Sequence, residues 1–441
     1  MTAFRRPWIW FIALATVLLL AAAGCGDDDE EDGDGTPTAA ATSPAGDETP
    51  GPVGPGVTDT EIKIGMTNDL AGTGGTPYGV VTPAMKAYFE KVNEEDGGVC
   101  GRDINFVAED DQYQPALALE KAKKLVDQEE ILAFVGALGT GAHLGAVAYL
   151  NDPNGDGKTD DGVPDLFVST GYSGWGDVAK WPWTIGHIPD YRSDAKIQAD
   201  YINENFPDAK VGILYQNDAF GKDYLDGMKE VLEPEVVTEQ SYEASATDIS
   251  SQILTIKDAG ADLIFLGTTP GFAAKAIVAA HTNDYRPQFF QSYVNAHTTL
   301  AGLIGGGSSP DQLATGFKEL AGTIATNYLL SAVEDASDPA MVEHKRIMES
   351  FGGPGVSSLS VYAQSLAELV VETLSKACDN LNRDGLLAAA ESIQGFRSSL
   401  LWPGIEINLG PDDHYAIQTL QPVKITAEGT LEEIGDPISV D

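Results

Sequence analysis

The chain has 441 residues, 67 acidic and 26 basic, for a formal net charge of -41. So few Lys and Arg could hardly build the basic face that phosphate recognition needs, which excludes nucleic acid as a partner. The length exceeds what one hydrophobic core usually holds, so two lobes are expected.

Residues 1–25 read as an export signal: Arg5 and Arg6 supply a positive start, Trp8 to Leu20 the apolar stretch, and Ala21 to Cys25 a small-residue processing site. A cysteine directly after such a site resembles a bacterial lipobox, with Ala22 where Leu is commonest. Cys25 is then expected to be lipidated and to become the mature N-terminus. Residues 26–58 hold the acidic run Asp27 to Asp34 and then Pro, Gly, Thr and Ala without periodicity, and read as a disordered spacer. No later segment reaches the roughly 18 consecutive apolar residues of a membrane span. The expectation is an exported protein, lipid-anchored at the outer face of the cytoplasmic membrane.

From Glu61 the chain alternates short apolar strands with amphipathic helices: strands at 62–66, 104–108 and 131–135, helices at 83–93 and 115–129. The rhythm restarts at the strand 210–215, followed by a helix near 224–232, a strand near 236–239, a helix near 249–258 and a strand at 262–266. Such alternation predicts an α/β fold with parallel sheets and helical crossovers. Within the first lobe, Phe134 to His143 reads as a strand, a glycine-rich turn and a helix start. Gly139 and Gly141 would let a ligand approach the backbone and Thr140 would add a hydroxyl, a cradle for an anion or polar ligand.

Setting Cys25 aside leaves Cys100 and Cys378, an even pair in an oxidising compartment, and a disulfide between them is expected. Asp152, Asn154, Asp156, Lys158 and Asp160 fall at positions of a calcium-loop pattern, with Gly157 at the sharp turn. Val163 stands where that pattern wants a bidentate acid, so a structural calcium and a plain acidic loop both remain open. Catalytic patterns are missing. Ser173 lacks the spacing of a nucleophile elbow, the six histidines show no zinc-ligand spacing, and Gly157-Lys158-Thr159 lacks the glycine run of a P-loop. No enzyme and no required cofactor are expected.

Several landmarks occur in a telling order: Ile62 to Met66, Tyr78-Gly79, Gly97 to Arg102, Asp110-Asp111, Phe134 to Gly136, Val163-Pro164, Val168 to Gly171, Leu214 to Gly221, and Gly260 to Asp262. In this the chain resembles the type 1 periplasmic solute-binding proteins of the leucine/isoleucine/valine-binding family. The resemblance implies two Rossmann-like lobes joined by three crossovers, one of residues 59–187 plus 328–404 and the other of 188–327 plus 405–441. It implies a monomer that hands a small solute, such as a branched-chain amino acid, to the permease subunits of an ABC transporter. A ligand carboxylate would sit on Gly139-Thr140-Gly141 and Gly171-Tyr172-Ser173, under Tyr78, with Phe220, Thr269 and Tyr293 on the opposite wall. Amino-acid binders of the family place a glutamate near position 293 to accept the ammonium; Tyr293 cannot do so. Either Asp190 or Asp218 substitutes, or the ligand is an aromatic or aliphatic acid or amide without an ammonium group. A ligand-sensing domain for a signalling partner is the alternative role.

Overall fold

The computed structural model describes residues 53–71, 77–295 and 297–440; the expected signal segment, Cys25 and residues 26–52 of the spacer lie outside them. The chain runs through β1 (Glu61–Asn68), α1 (Val81–Lys91), β2 (Asp103–Asp110), α2 (Pro115–Asp127), β3 (Ala133–Val135), α3 (Thr140–Leu144), α4 (Val147–Asn151), β4 (Asp165–Val168) and β5 (Thr184–Gly186). These strands form one parallel sheet in the order β2-β1-β3-β4-β5. Ile62, Ile64 and Met66 are fully buried, and the carboxyl half of β1 is buried on both faces, as a parallel strand covered by helices must be.

A second run follows: α5 (Tyr191–Asn205), β6 (Lys210–Gln216), α6 (Ala219–Val231), β7 (Glu235–Tyr242), α7 (Ser250–Asp258), β8 (Leu263–Gly267), α8 (Pro270–Thr282), β9 (Gln288–Gln291), α9 (His297–Gly305), α10 (Pro310–Leu320) and β10 (Ile324–Asn327). Next come α11 (Pro339–Ser350), α12 (Ser358–Lys376) and α13 (Arg383–Glu391), and last β11 (Thr419–Ile425), β12 (Leu431–Glu433) and β13 (Ile438–Ser439). The second sheet has the order β12-β11-β10-β9-β8-β6-β7, with β13 on β11; β6 to β10 are parallel and β11 returns antiparallel to β10. The helices α11 and α12 pack on α1, so after β10 the chain returns to the first sheet before β11 rejoins the second. It therefore crosses between the sheets around 187–190, 328–338 and 392–418.

Local signals set the helix starts. Asp190 accepts the N–H of Ser193 at 2.7 Å, Asp218 that of Gly221 at 3.2 Å, and Ser357 with Ser360 forms a reciprocal cap on α12. One boundary differs from the sequence expectation: the helix after β3 begins at Thr140, so Thr140 and Gly141 belong to its first turn instead of a free loop. That helix then breaks at Gly145 and resumes as α4.

Cys100 and Cys378 are bonded to each other, tying the turn before β2 to the end of α12 across 278 positions of sequence. A crosslink over so long a loop restricts the unfolded chain strongly. Replacing Cys378 by Ala should lower unfolding free energy by about 2–5 kcal/mol, read as a shift of the denaturant midpoint without reductant; an unchanged midpoint would mean that the bond contributes nothing.

Candidate functional site

In an open parallel sheet the ligand crevice lies outside the carboxyl ends of the strands, where neighbouring connections leave in opposite directions. Here β1 is flanked by β2 and β3, and β6 by β7 and β8, so each sheet has one such switch point. Both contribute to one cavity. Tyr78 follows β1, Leu138 to Thr140 follow β3, Phe220 follows β6 and Thr269 follows β8, and all line it. The cavity volume is about 90 Å³.

The first wall rests on glycine and hydroxyls. Gly139 has φ 98°, and a Cβ there would lie 2.7 Å from the Tyr113 ring, so only glycine fits between this ring and the start of α3. The Thr140 hydroxyl is 2.8 Å from that of Thr170. Burial pushes the Tyr191 hydroxyl up to about 12, against the pull of the Gly171 backbone and of Thr140 and Thr170. Tyr362 donates to the Ser169 hydroxyl at 2.5 Å. The cavity thus meets Tyr78, Tyr113, Thr140, Ser169, Tyr191 and Tyr362, a set of neutral hydroxyl groups.

On the opposite wall, Phe220 packs edge-on to Tyr191, with ring centroids 5.0 Å apart, and Gln291 keeps a buried side-chain oxygen without a partner. Tyr293 lines the cavity by its ring while its hydroxyl donates to the carbonyl of Pro189.

Of the residues expected from sequence, Tyr78, Gly139, Thr140, Phe220, Thr269 and Tyr293 meet around this cavity; Gly141, Gly171, Tyr172 and Ser173 do not line it. The reason is a direct contact between the two sides. Both polar hydrogens of Ser173 go to α6, its N–H to Asp223 Oδ2 at 2.7 Å and its hydroxyl to Oδ1 at 2.8 Å. Gly171 is pressed against Pro189 and Tyr293, where a Cβ would come within 2.1 Å of the Pro189 carbonyl oxygen. Tyr172 packs edge-on to Trp175. This loop joins the two sides through that contact.

Charge is absent from the lining: among the described residues no Asp, Glu, Lys or Arg borders the cavity. Asp190 and Asp218 both cap helices, and neither borders the cavity. Asp218 also accepts Gln216 Nε2 at 2.7 Å, and burial raises the pKa of both carboxyls. His297 does line the cavity, but burial lowers its pKa to about 4, so it is neutral near pH 7.

Tyr113, Tyr191, Gln291 and Tyr362 were not picked out by sequence reasoning. One signal was available for Tyr113: it follows the Asp110-Asp111 pair, and Asp111 Oδ1 accepts its N–H at 2.9 Å. Gln112 and Tyr113 both have left-handed backbones, φ 51° and 57°, a strain that aims the ring across the cavity. Tyr362 lies on α12, far along the chain, and nothing local marks it.

The loop 152–160 is closed by its own backbone. Asp152 accepts the N–H groups of Gly155, Asp156 and Gly157, Asn154 Oδ1 accepts that of Asp156 at 2.8 Å, and Lys158 pairs with Asp156 at 2.9 Å. Asp160 is exposed. No three His, Cys, Asp or Glu side chains are grouped to hold a metal among the described residues.

Comparison with known proteins agrees with this geometry. The family model described as a periplasmic binding protein matches residues 61–430. The chain is 23% identical over 219 residues to the Leu/Ile/Val-binding protein homolog 3 of Brucella melitensis biotype 1; the match covers 47% of this chain and about half, 54%, of that relative. Two solved structures share the fold. A branched chain amino acid ABC transporter protein from Thermus thermophilus with bound valine superposes with TM-score 0.74 at 17% identity, covering 87% of this chain and 98% of that one. A fatty acid ABC transporter substrate-binding protein from Thermomonospora curvata gives TM-score 0.72 at 23% identity over 88% and 95%. The matched span of 61–430, with one parallel and one mostly parallel sheet whose strand ends border a cavity, makes this chain a type 1 periplasmic binding protein of the branched-chain amino acid family.

Proposed function

We propose that the chain is the substrate-binding lipoprotein of an ABC importer, without catalytic activity, which captures a small carboxylate-bearing solute between its two lobes and presents the closed form to permease subunits. The observation that carries this reading is the single cavity bounded by both switch points. The lobes are residues 59–187 plus 328–404 and 188–327 plus 405–441, anchored outside the membrane through Cys25. No helix among the described residues is long and apolar enough to cross a membrane.

The neutral lining favours one ligand type over another. A buried ammonium without an acidic partner costs several kcal/mol, whereas a carboxylate can be held by hydroxyl and N–H donors. The hydroxyl set of the first wall therefore favours an aliphatic or aromatic acid over a free amino acid. Names carried by structural neighbours fit both kinds, valine for one and fatty acid for the other.

A thermal-shift screen of the purified chain should give stabilisation by monocarboxylic acids and less by branched-chain amino acids, because a ligand that binds only the folded state raises its apparent stability. No shift with either class would remove the solute-binding reading. Thr140→Ala should weaken carboxylate binding about tenfold, the worth of one hydrogen bond to a charged group.

Closure itself should depend on pH. Burial raises the Asp223 carboxyl from 3.8 to about 6, outweighing the two Ser173 donors; Asp190 pushes it the same way and Arg192 opposes. An acid with a raised pKa in the closed form binds protons more tightly there than when opened to water, so closure gains as pH falls from above 6 toward 4. Calorimetric affinity should therefore rise between pH 7.5 and 5.5, and Asp223→Asn should flatten that slope; an equal slope in both proteins would rule out Asp223 as its source.

A further inference from the structure

The cavity extends beyond the crevice between the switch points. Besides the hydroxyl-lined end it is bordered by Ala325, Val423, Ile425 and Leu431 of the second sheet. Strand register puts these four on one face. Ala325 pairs with Val423 and Leu431 with Ile425, and residues two apart on β11 point the same way. Leu330 and Leu359 border the same lumen, as does His297, whose Nε2 lies 3.4 Å from the Ser331 hydroxyl and whose ring is neutral. These apolar residues form an arm of the lining, with Thr326, Asn327 and Ser358 also bordering the cavity.

Resting on the solute-binding reading above, we propose that this arm is a tail subsite, and that the substrate class is an unbranched medium-chain monocarboxylate. Its carboxylate lies at Thr140, Tyr113 and the neighbouring hydroxyls, and its alkyl chain runs along the face formed by Ala325, Val423, Ile425 and Leu431. Shape and charge both select for it. A branched amino acid would fill the crevice end, leave the arm empty and bring an ammonium with no acidic partner. A dicarboxylate would bury its second charge against leucine and valine.

The test is isothermal calorimetry on the full chain with butanoate, hexanoate, octanoate, adipate and L-leucine. Affinity should rise about fourfold for each added methylene, the usual worth of burying one, and octanoate should bind at least tenfold more tightly than L-leucine or adipate. In Ala325→Leu and in Val423→Phe, each checked for native circular dichroism, the octanoate-to-butanoate affinity ratio should collapse. Thr140→Ala should instead weaken all the monocarboxylates by a similar factor. Flat affinity from butanoate to octanoate, or L-leucine as the tightest ligand, would overturn the tail subsite while leaving the solute-binding reading intact. No binding of any probe would overturn both. An unchanged octanoate-to-butanoate ratio in both folded arm variants would place the tail elsewhere and sink the assignment.

Discussion

A parallel sheet covered by helices has one end where peptide groups cannot all be satisfied from within. Each strand stops, the chain turns, and the first N–H groups of the next helix have no intrahelical partner. This protein has two such ends, and both switch points open on the same cavity. The glycines at 139 and 171, the capping aspartates at 190 and 218, and the hydroxyls at 140 and 169 occupy this region because it is where the backbone is exposed and the chain must turn. Contact across it is made by polar pairs such as Ser173 with Asp223, which can separate into water at modest cost, as an opening crevice requires.

The contrast between surface and cavity is equally informative. A chain with 41 more acidic than basic charges brings none of them to the cavity lining among its described residues. The acids nearest the crevice are spent on helix starts and on the contact with Ser173. Burial discourages their ionisation, and among the described residues no Lys or Arg lines the cavity. The interior is consequently a place of hydroxyl, amide and hydrocarbon, which favours a ligand carrying at most one charge that neutral donors can hold.

Much of the fold was legible because its strands are short apolar runs separated by amphipathic helices, and the period of each element is written locally. Half of the site was legible for the same reason. Tyr78, Thr140, Phe220 and Thr269 each lie in the connection or helix start that comes after a strand, and all four border the cavity. The loop at 171–173 reads as a cradle from its glycine and serine, yet the Ser173 donors face a carboxylate 50 positions later, and no local pattern encodes that partner. The calcium-like loop shows a similar ambiguity, since oxygens spaced to wrap a cation are also spaced to cap successive backbone N–H groups.

By itself the sequence determined the strand and helix order, the acidic character, the cysteine pairing partners and the lack of catalytic spacing, because each depends on composition or on neighbours along the chain. Only the tertiary structure decided what the cavity contains. Tyr113, Tyr191 and Tyr362 come from three distant segments, and the apolar arm arises from the register of β10, β11 and β12. Strand register and the meeting of remote side chains depend on how whole elements pack, and that packing is an outcome of the entire core, so no single stretch of sequence displays it.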